Sequence, residues 1–188
     1  MSEQTFLKNY FSDLKKLINE NEYIDKLVLV KNILKSVSSN KKKTMIFGNG
    51  GSAAIASHFS VDLTKNAKIR CTNYNESDLL TCFSNDFGYE NWVQKAIEFY
   101  ADAGDALILI SAGGNSKNMV NAANFAKKKN ISKIITFTGN MKNNSLAKLG
   151  DINFWVDSKS YNHIENVHQI LLLSLVDLII GKSEYPPN

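Results

Sequence analysis

The sequence predicts an α/β fold in which helices cover both faces of a parallel sheet, with two further helices ahead of the first strand. Three observations support this prediction. Beyond residue 43, short apolar segments of strand character alternate with segments of helical periodicity. Two of the apolar segments run directly into turns of small residues that open helices. The 188 residues contain prolines only at Pro186 and Pro187 and no linker or repeat, which favours one compact domain over 1–188.

The elements follow one another regularly along the chain. Two amphipathic helices come first, roughly Glu3–Asn19 and Ile24–Val37, and make residues 1–40 an N-terminal helical extension. The predicted strands are Thr44–Phe47, Lys68–Asn73, Ala106–Ile110, Lys133–Phe137 and Ile152–Val156. The predicted helices that follow most of them are Ser52–Lys65, Glu90–Ala101, Asn115–Lys129 and Asn162–Ile180.

The turn after the first predicted strand, Gly48-Asn49-Gly50-Gly51-Ser52, has the character of a phosphate-binding turn. Glycines allow positive φ angles and let an anion approach the main chain closely. The helix that follows offers unpaired N–H groups and the positive end of its dipole. Ser52 adds a hydroxyl at the helix start. The sequence therefore predicts an anion site at this turn.

The third predicted strand ends in a second turn of this kind, Ser111-Ala112-Gly113-Gly114-Asn115-Ser116, which again opens a helix. Tight turns without any ligand also join strands to helices, so one such turn alone is a weak signal. Two of them, both at the carboxyl ends of parallel strands where α/β proteins bind ligands, favour a phosphate-bearing ligand.

The residues argue against the two common nucleotide-binding motifs. Gly48, Gly50 and Ala53 satisfy the loose dinucleotide-binding pattern. That pattern needs an acidic residue at the end of the second strand, which here reads Thr72-Asn73-Tyr74-Asn75 before Glu76 arrives late. Neither turn continues into the Gly-Lys-Ser/Thr of a Walker loop. The expected ligand is therefore a small phosphorylated molecule, and no nucleotide cofactor is expected.

Composition and charge exclude other classes of function. The net charge of +4 comes from largely dispersed lysines without interleaved aromatic residues, so no nucleic-acid partner is expected. Cys71 and Cys82 have no metal or redox spacing and are expected to be reduced thiols of a cytoplasmic protein. The polar N-terminus argues against a signal peptide. Ile170–Ile180 is too short to span a bilayer and is predicted to be a buried helix, so no membrane partner is expected.

Polar residues that can do chemistry occur in further clusters, each with a structural alternative. His58 and Asp62 lie four residues apart and therefore on one face of the predicted helix Ser52–Lys65. They are either a reactive pair or an ordinary surface pair. Asn85-Asp86 is predicted in a turn, where it binds a ligand or begins the next element.

The last predicted helix opens with a third polar cluster. Asn162 and Glu165 have the spacing of a capping box, which would give Glu165 a structural role. His163 and His168, each taken alone, are expected more often as solvated or packed side chains than as ligands.

In this order the motifs resemble the sugar isomerase (SIS) domain family, in particular its phosphoheptose isomerases. The resemblance begins with Gly48–Ala54, His58 and the acid at position 62, and it covers nearly the whole chain. The other similar segments are Asn85–Glu90, Gly104–Leu107, Ser111–Ser116, Phe137–Gly139 and, as a weaker echo, Ile164–His168.

This resemblance implies a three-layer sandwich with a five-stranded parallel sheet, assembled as a homotetramer with sites built between subunits. It also implies the interconversion of sedoheptulose 7-phosphate and D-glycero-D-manno-heptopyranose 7-phosphate, an early step toward the heptoses of bacterial surface polysaccharides. By position, the substrate-binding residues would be Asn49, Gly50, Gly51, Ser52, Asn85, Asp86, Ser111, Ala112, Gly113 and Ser116. Asn85 and Asp86 would hold sugar hydroxyls, and the four from the second turn would hold the phosphate.

The chain departs from the family pattern at functional positions. The usual Glu is Asp62, the usual Gln of the last helix is Glu165, and the His eight residues later, commonly a zinc ligand, is Leu173. In the second turn, Ala112 and Gly113 replace a Thr and a Ser. Main-chain amides there still bind an anion, so phosphate binding survives these changes more easily than a metal site does.

The departures leave two readings of the metal site open. His58, Asp62 and Glu165 offer one imidazole and two carboxylates, a set that can bind a divalent ion such as zinc. The site can equally be metal-free. His168 lies about one turn from Glu165, but in the family pattern the corresponding His is not a ligand.

An aldose–ketose isomerase moves a proton between C1 and C2 through an enediol, which needs a base and a donor to the carbonyl oxygen. The expected catalytic residues are Glu165 or Asp62 as base, with His58, or an ion that it holds, polarising the carbonyl. Two alternatives stay open: an isomerase of a different ketose phosphate, and a non-catalytic sugar-phosphate-binding regulatory or adaptor protein. Leu173 gives the non-catalytic reading its support.

Overall fold

A computed structural model describes residues 1–18 and 21–184 of the chain. Two helices, α1 (Glu3–Ile18) and α2 (Asn21–Ser39), precede the sheet as predicted. The predicted end of the first helix at Asn19 and the prolines at 186 and 187 lie outside the described residues.

A five-stranded parallel sheet forms the centre of the molecule. Its strands are β1 (Thr44–Phe47), β2 (Cys71–Thr72), β3 (Ala106–Ser111), β4 (Lys133–Gly139) and β5 (Ile152–Val156), in the order β2-β1-β3-β4-β5. β1 and β3 are neighbours, with Phe47 opposite Leu109. The two small-residue turns that follow these strands therefore lie side by side at the carboxyl edge of the sheet.

In the described part of the chain, five helices follow β1 and cover the sheet. They are α3 (Gly51–Lys65), α4 (Ser77–Phe87), α5 (Trp92–Tyr100), α6 (Lys117–Ala126) and α7 (Tyr161–Ile180). The side chains of β3 alternate between two cores, because Ile108 and Ile110 pack with α3 and α7 while Leu107 and Leu109 pack with α5 and α6. This arrangement confirms the three-layer α/β fold predicted from the sequence.

Two elements differ from their prediction. β2 is only two residues long. Lys68 has a left-handed φ of 59°, and the Ile69 N–H donates to the Leu63 carbonyl, so residues 68 and 69 remain bonded to the end of α3 and do not join the sheet. Residues 85 and 86, predicted in a turn, lie in the last turn of α4, a helix that the sequence reading missed. The helix ends at Phe87, and Gly88, with φ of 83°, is its C-cap residue.

α7 is the long apolar helix of the fold, and within the described residues it is the one helix with the length and composition of a membrane span. Its apolar side chains, among them Ile164, Val167 and Leu171, are buried in the core with α2 and α3, as predicted for a buried helix. The capping-box prediction was wrong. The residue that caps α7 is Ser160, whose hydroxyl accepts the His163 N–H at 3.5 Å, so Glu165 has no capping role.

Candidate functional site

The turn between β1 and α3 is closely packed around its glycines. Gly50 precedes α3 with φ of 54°, in the region that favours glycine. A β-carbon on Gly48 would overlap the main chain of Ser52, so no other residue fits there. Ser52 is buried in the first turn of α3. The turn therefore needs glycine at these positions, while the predicted anion site stays a prediction.

The turn between β3 and α6 is held by its two serines. The Ser111 and Ser116 hydroxyls lie 3.0 Å apart, and Ser116 directly precedes α6. Gly114 has φ of 69° and lies so close to Asn144 that a side chain would not fit. The two serine hydroxyls therefore lie together beside the start of α6.

The two turns and the start of α7 enclose a cavity of about 460 Å³. It is lined by Asn49, Ser52, Ile110, Ser111, Ala112, Gly113, Asn115, Ser116, Asn140, Tyr161 and Glu165. Seven of these were predicted as site residues: Asn49, Ser52, Ser111, Ala112, Gly113, Ser116 and Glu165. Gly50 lies in the same turn but does not line this cavity.

The cavity lining carries a single charged side chain, the carboxylate of Glu165, and no lysine or arginine among the residues that the structure describes. The positive ends of the α3 and α6 dipoles lie at the two turns that line the cavity, and a helix N-terminus favours an anion. The serine hydroxyls add neutral donors.

Glu165 stands at the boundary between this cavity and a second one. Its carboxylate lies against the main chain of Gly51, where a β-carbon on the glycine would overlap it. The second cavity, of about 370 Å³, is also lined by Gly51 and Glu165, together with Tyr10, Ala54, Ile55, Asn162, Asn166 and Gln169. Glu165 is therefore accessible from both sides.

Asn49 is held by residues that sequence reasoning did not select. Its amide and that of the buried Asn118 exchange hydrogen bonds of 3.0 and 2.8 Å, and the Tyr89 hydroxyl donates to Asn49 Oδ1 at 3.1 Å. Tyr161, also missed, places its hydroxyl over Gly113, 3.3 Å from where a β-carbon would stand. Its position at the start of the last helix, at the carboxyl edge of the sheet, is the one signal that could have found it.

The predicted pair His58 and Asp62 forms on α3, with His58 Nε2 3.2 Å from Asp62 Oδ2. A third side chain that the sequence reading did not select joins them. The amide nitrogen of Gln169, on α7, lies 3.4 Å from His58 Nδ1. His58 is half exposed and lines neither of the two cavities, although Gln169 lines the second.

The predicted metal set does not come together within one chain. Over residues 1–18 and 21–184, no three His, Cys, Asp or Glu side chains are grouped so that they could hold an ion. His58 is close to Asp62 and Gln169, whereas Glu165 lies at Gly51. His58, Asp62 and Glu165 therefore do not fit a metal site formed by this chain alone.

His168 does not replace the missing histidine. It is fully buried, with Nε2 donating to the Thr138 carbonyl at 3.1 Å and its ring edge-on to Phe137. Burial lowers the pKa of His168 to about 4, although the bond to Thr138 opposes this shift. His168 is therefore a neutral side chain that joins α7 to β4.

Asn85 and Asp86 line neither cavity of this chain. Both are exposed on α4, where Asn85 Nδ2 donates to Asp86 Oδ1 at 2.9 Å. Cys82 Sγ lies 3.6 Å from the other oxygen of Asp86. The structure of one chain thus leaves these two predicted sugar-binding residues apart from the other site residues.

The SIS domain model of known protein families matches residues 6–139, well over half of the chain. The chain belongs to the SIS domain family. Among the relatives of this SIS domain protein is a phosphoheptose isomerase of Sulfurimonas denitrificans, 34% identical over 176 residues that cover 89% of the chain and 88% of the relative. Another is a phosphoheptose isomerase of Buchnera aphidicola, 33% identical over 187 residues, which cover 96% and 92% of the two chains.

Solved structures show the same relationship. The phosphoheptose isomerase of Neisseria gonorrhoeae superposes with a TM-score of 0.86 at 26% identity, covering 95% of this chain and 99% of that one. A phosphoheptose isomerase of Francisella tularensis, at 23% identity and a TM-score of 0.86, shares the fold.

Proposed function

We propose that this protein is an aldose–ketose isomerase that converts sedoheptulose 7-phosphate into D-glycero-D-manno-heptopyranose 7-phosphate through an enediol. The observation that carries the proposal is the cavity that the two small-residue turns share with the carboxylate of Glu165. Relatives named phosphoheptose isomerase, at 33–34% identity over nearly the whole chain, support this substrate.

The phosphate binds at the second turn. Ser111 and Ser116 donate their hydroxyls, and the main-chain N–H groups around Ala112 and Gly113 and at the start of α6 supply the remaining donors. At the first turn, Asn49, Gly50, Gly51 and Ser52 contact the sugar. This placement leaves the unphosphorylated end of the substrate free to extend past Glu165.

Glu165 is the base of the proposed reaction, because it lines the cavity. Asp62 is the weaker candidate, since it is engaged by His58 and by Asn66 Nδ2, the latter at 3.2 Å. Glu165 takes the proton from the carbon beside the ketose carbonyl and returns it to the neighbouring carbon of the enediol. In the substrate complex the carbonyl oxygen replaces Asp62 as acceptor of the His58 Nε2–H and takes its proton as the enediol forms, and the neighbouring hydroxyl returns a proton to Nε2 as the aldose forms. Acid–base assistance of this kind contributes about 10²- to 10⁴-fold.

The protein acts as a homotetramer in this proposal, with sites completed between subunits. α1 has no buried residue in the single chain and exposes Phe6, Leu7 and Phe11. Several large apolar side chains exposed on one helix are typical of a surface that another subunit covers. Asn85 and Asp86, which stand apart from the cavity of their own chain, would then serve a neighbouring site.

The proposed setting is the cytoplasm, where the heptose phosphate enters the synthesis of a surface polysaccharide. Neither a nucleic acid nor a membrane is a partner in this reaction. The net charge of +4, spread over dispersed lysines, supports a small anionic substrate better than an extended polyanion.

The test is incubation of the protein with sedoheptulose 7-phosphate, with and without a chelator, followed by NMR detection of the aldose. Formation of the heptose phosphate is the expected result. A thermal shift with this sugar phosphate but no turnover would instead identify a binding protein. Turnover of another ketose phosphate alone would assign a different substrate.

A further inference from the structure

Gln169 stands one helical turn beyond Glu165 on α7, and therefore on the same face of that helix. α7 packs along α3, which carries His58 and Asp62. The three polar side chains form a chain of contacts across the two helices, with Gln169 Nε2 3.4 Å from His58 Nδ1 and His58 Nε2 3.2 Å from Asp62 Oδ2.

These two contacts together define where the imidazole proton resides. A neutral imidazole has one N–H and one acceptor nitrogen. The Asp62 carboxylate can only accept, so the proton lies on Nε2. Nδ1 is then an acceptor, and the group that faces it is the amide nitrogen of Gln169, a donor. Both bonds select the same tautomer.

We infer that Gln169 is a positioning residue of the isomerase site, which together with Asp62 holds His58 in the Nε2–H tautomer, the one in which Nε2 can donate to the substrate carbonyl when that oxygen replaces Asp62 as acceptor. The inference rests on the proposed function. With Nδ1 occupied, the ring has no free lone pair for a metal ion, which agrees with a donor set that does not form a metal site within the chain. Orientation of a catalytic imidazole through its second nitrogen is a general device.

The tautomer is measured directly by ¹⁵N NMR of the imidazole nitrogens at about pH 8, where an ordinary histidine is neutral. The chain has only three histidines, so a His58→Gln variant assigns the signals of His58. We expect Nε2–H in the unmodified protein, a larger share of Nδ1–H in Gln169→Leu, where Asp62 alone selects Nε2–H, and the largest share of protonated Nδ1 in Gln169→Glu, whose carboxylate only accepts. An Nδ1–H tautomer in the unmodified protein would overturn the inference.

Steady-state kinetics separate positioning from a structural role. Both Gln169 variants are expected to lower kcat roughly 10- to 100-fold with KM changed less than about threefold, as for other orienting partners of histidine. Gln169→Glu, although nearly identical in shape, should be at least as slow as Gln169→Leu, whereas a packing role predicts the opposite order. Asn143→Leu, which removes an amide near β5, is the control and should match the unmodified enzyme.

Two outcomes distinguish the inference from the proposed function. Absence of turnover in the unmodified protein contradicts the proposed function, while the NMR measurement still tests the tautomer. Full turnover together with unaltered kcat in both Gln169 variants rejects the inference and leaves the isomerase intact.

Discussion

The carboxylate of Glu165 lies against Gly51, so a side chain of the last helix meets the glycine turn that follows β1. This contact fixes the proposed base relative to the bound substrate, because the same turn positions Ser52 and Asn49 in the cavity. The absence of a side chain at position 51 is what allows the approach.

Gly51→Ala should displace the Glu165 carboxylate without unfolding the protein. The new methyl group meets only the far end of a flexible side chain, so the free energy of unfolding should change by less than about 1 kcal/mol. We expect kcat to fall at least about tenfold because a misplaced base loses its alignment. Steady-state assays beside urea denaturation check this, and unchanged kcat would show that the contact is irrelevant to catalysis.

Glu165→Gln should abolish isomerisation while sugar-phosphate binding persists. The amide keeps the shape of the side chain but cannot take a proton, so the loss should be about 10²-fold or more in kcat. Calorimetric titration with sedoheptulose 7-phosphate measures the remaining affinity. Retained turnover in this variant would show that Glu165 is not the base and would favour Asp62 in that role.

Replacing Ser111 and Ser116 by Ala should weaken phosphate binding. Each change removes one neutral donor near the anion, worth about 1 kcal/mol, so each single variant should raise KM roughly fivefold with kcat nearly constant. Ser132→Ala, in the exposed turn before β4, is the matched control. Equal KM values in all three variants would place the phosphate elsewhere.

His168 should make the fold sensitive to mild acid. Its folded pKa of about 4 lies below the ordinary value of 6.5, so the unfolded chain binds a proton more readily. This stabilisation is complete above about pH 6.5 and is lost as the pH falls toward 4, for a total of about 3 kcal/mol. Urea denaturation of the protein and of His168→Leu across this range should show a shallower pH slope in the variant. Parallel slopes would contradict the expectation.

Isomerisation should survive removal of divalent metal. Both ring nitrogens of His58 are engaged, Leu173 offers no ligand, and Glu165 is held at Gly51. Dialysis against a strong chelator, with the metal content followed by mass spectrometry, should leave kcat within about twofold of its starting value. Loss of activity that zinc restores would show instead that the assembled protein forms a metal site.

Much of the fold was predictable because apolar strands and helical periodicity are local signals. Four of the five strands and the helices that were predicted lie close to their predicted positions, whereas β2 is shorter than predicted. α4 was missed because its apolar run, Leu79–Phe83, is too short to distinguish helix from strand by periodicity. The start of α7 was misread because Ser160 and Asn162 are both good capping residues, and only the folded backbone decides between them.

The site was predictable where it depends on turns and less so where it depends on packing between helices. Glycines and hydroxyls next to strand ends identified most of the cavity lining. Gln169 could not be found this way, since its partner His58 is 111 positions away and comes near only when α7 packs on α3. Asn118 was missed for the same reason, because its partner Asn49 belongs to the other turn.

Glu165 lines both cavities, so this one side chain separates the cavity of the two turns from the cavity beside Tyr10. A sugar whose phosphate binds in the first cavity brings its reactive carbon to this carboxylate only if its carbon chain is long enough to reach Glu165. The proposed base would then also measure the length of the sugar, so that short ketose phosphates bind without reacting.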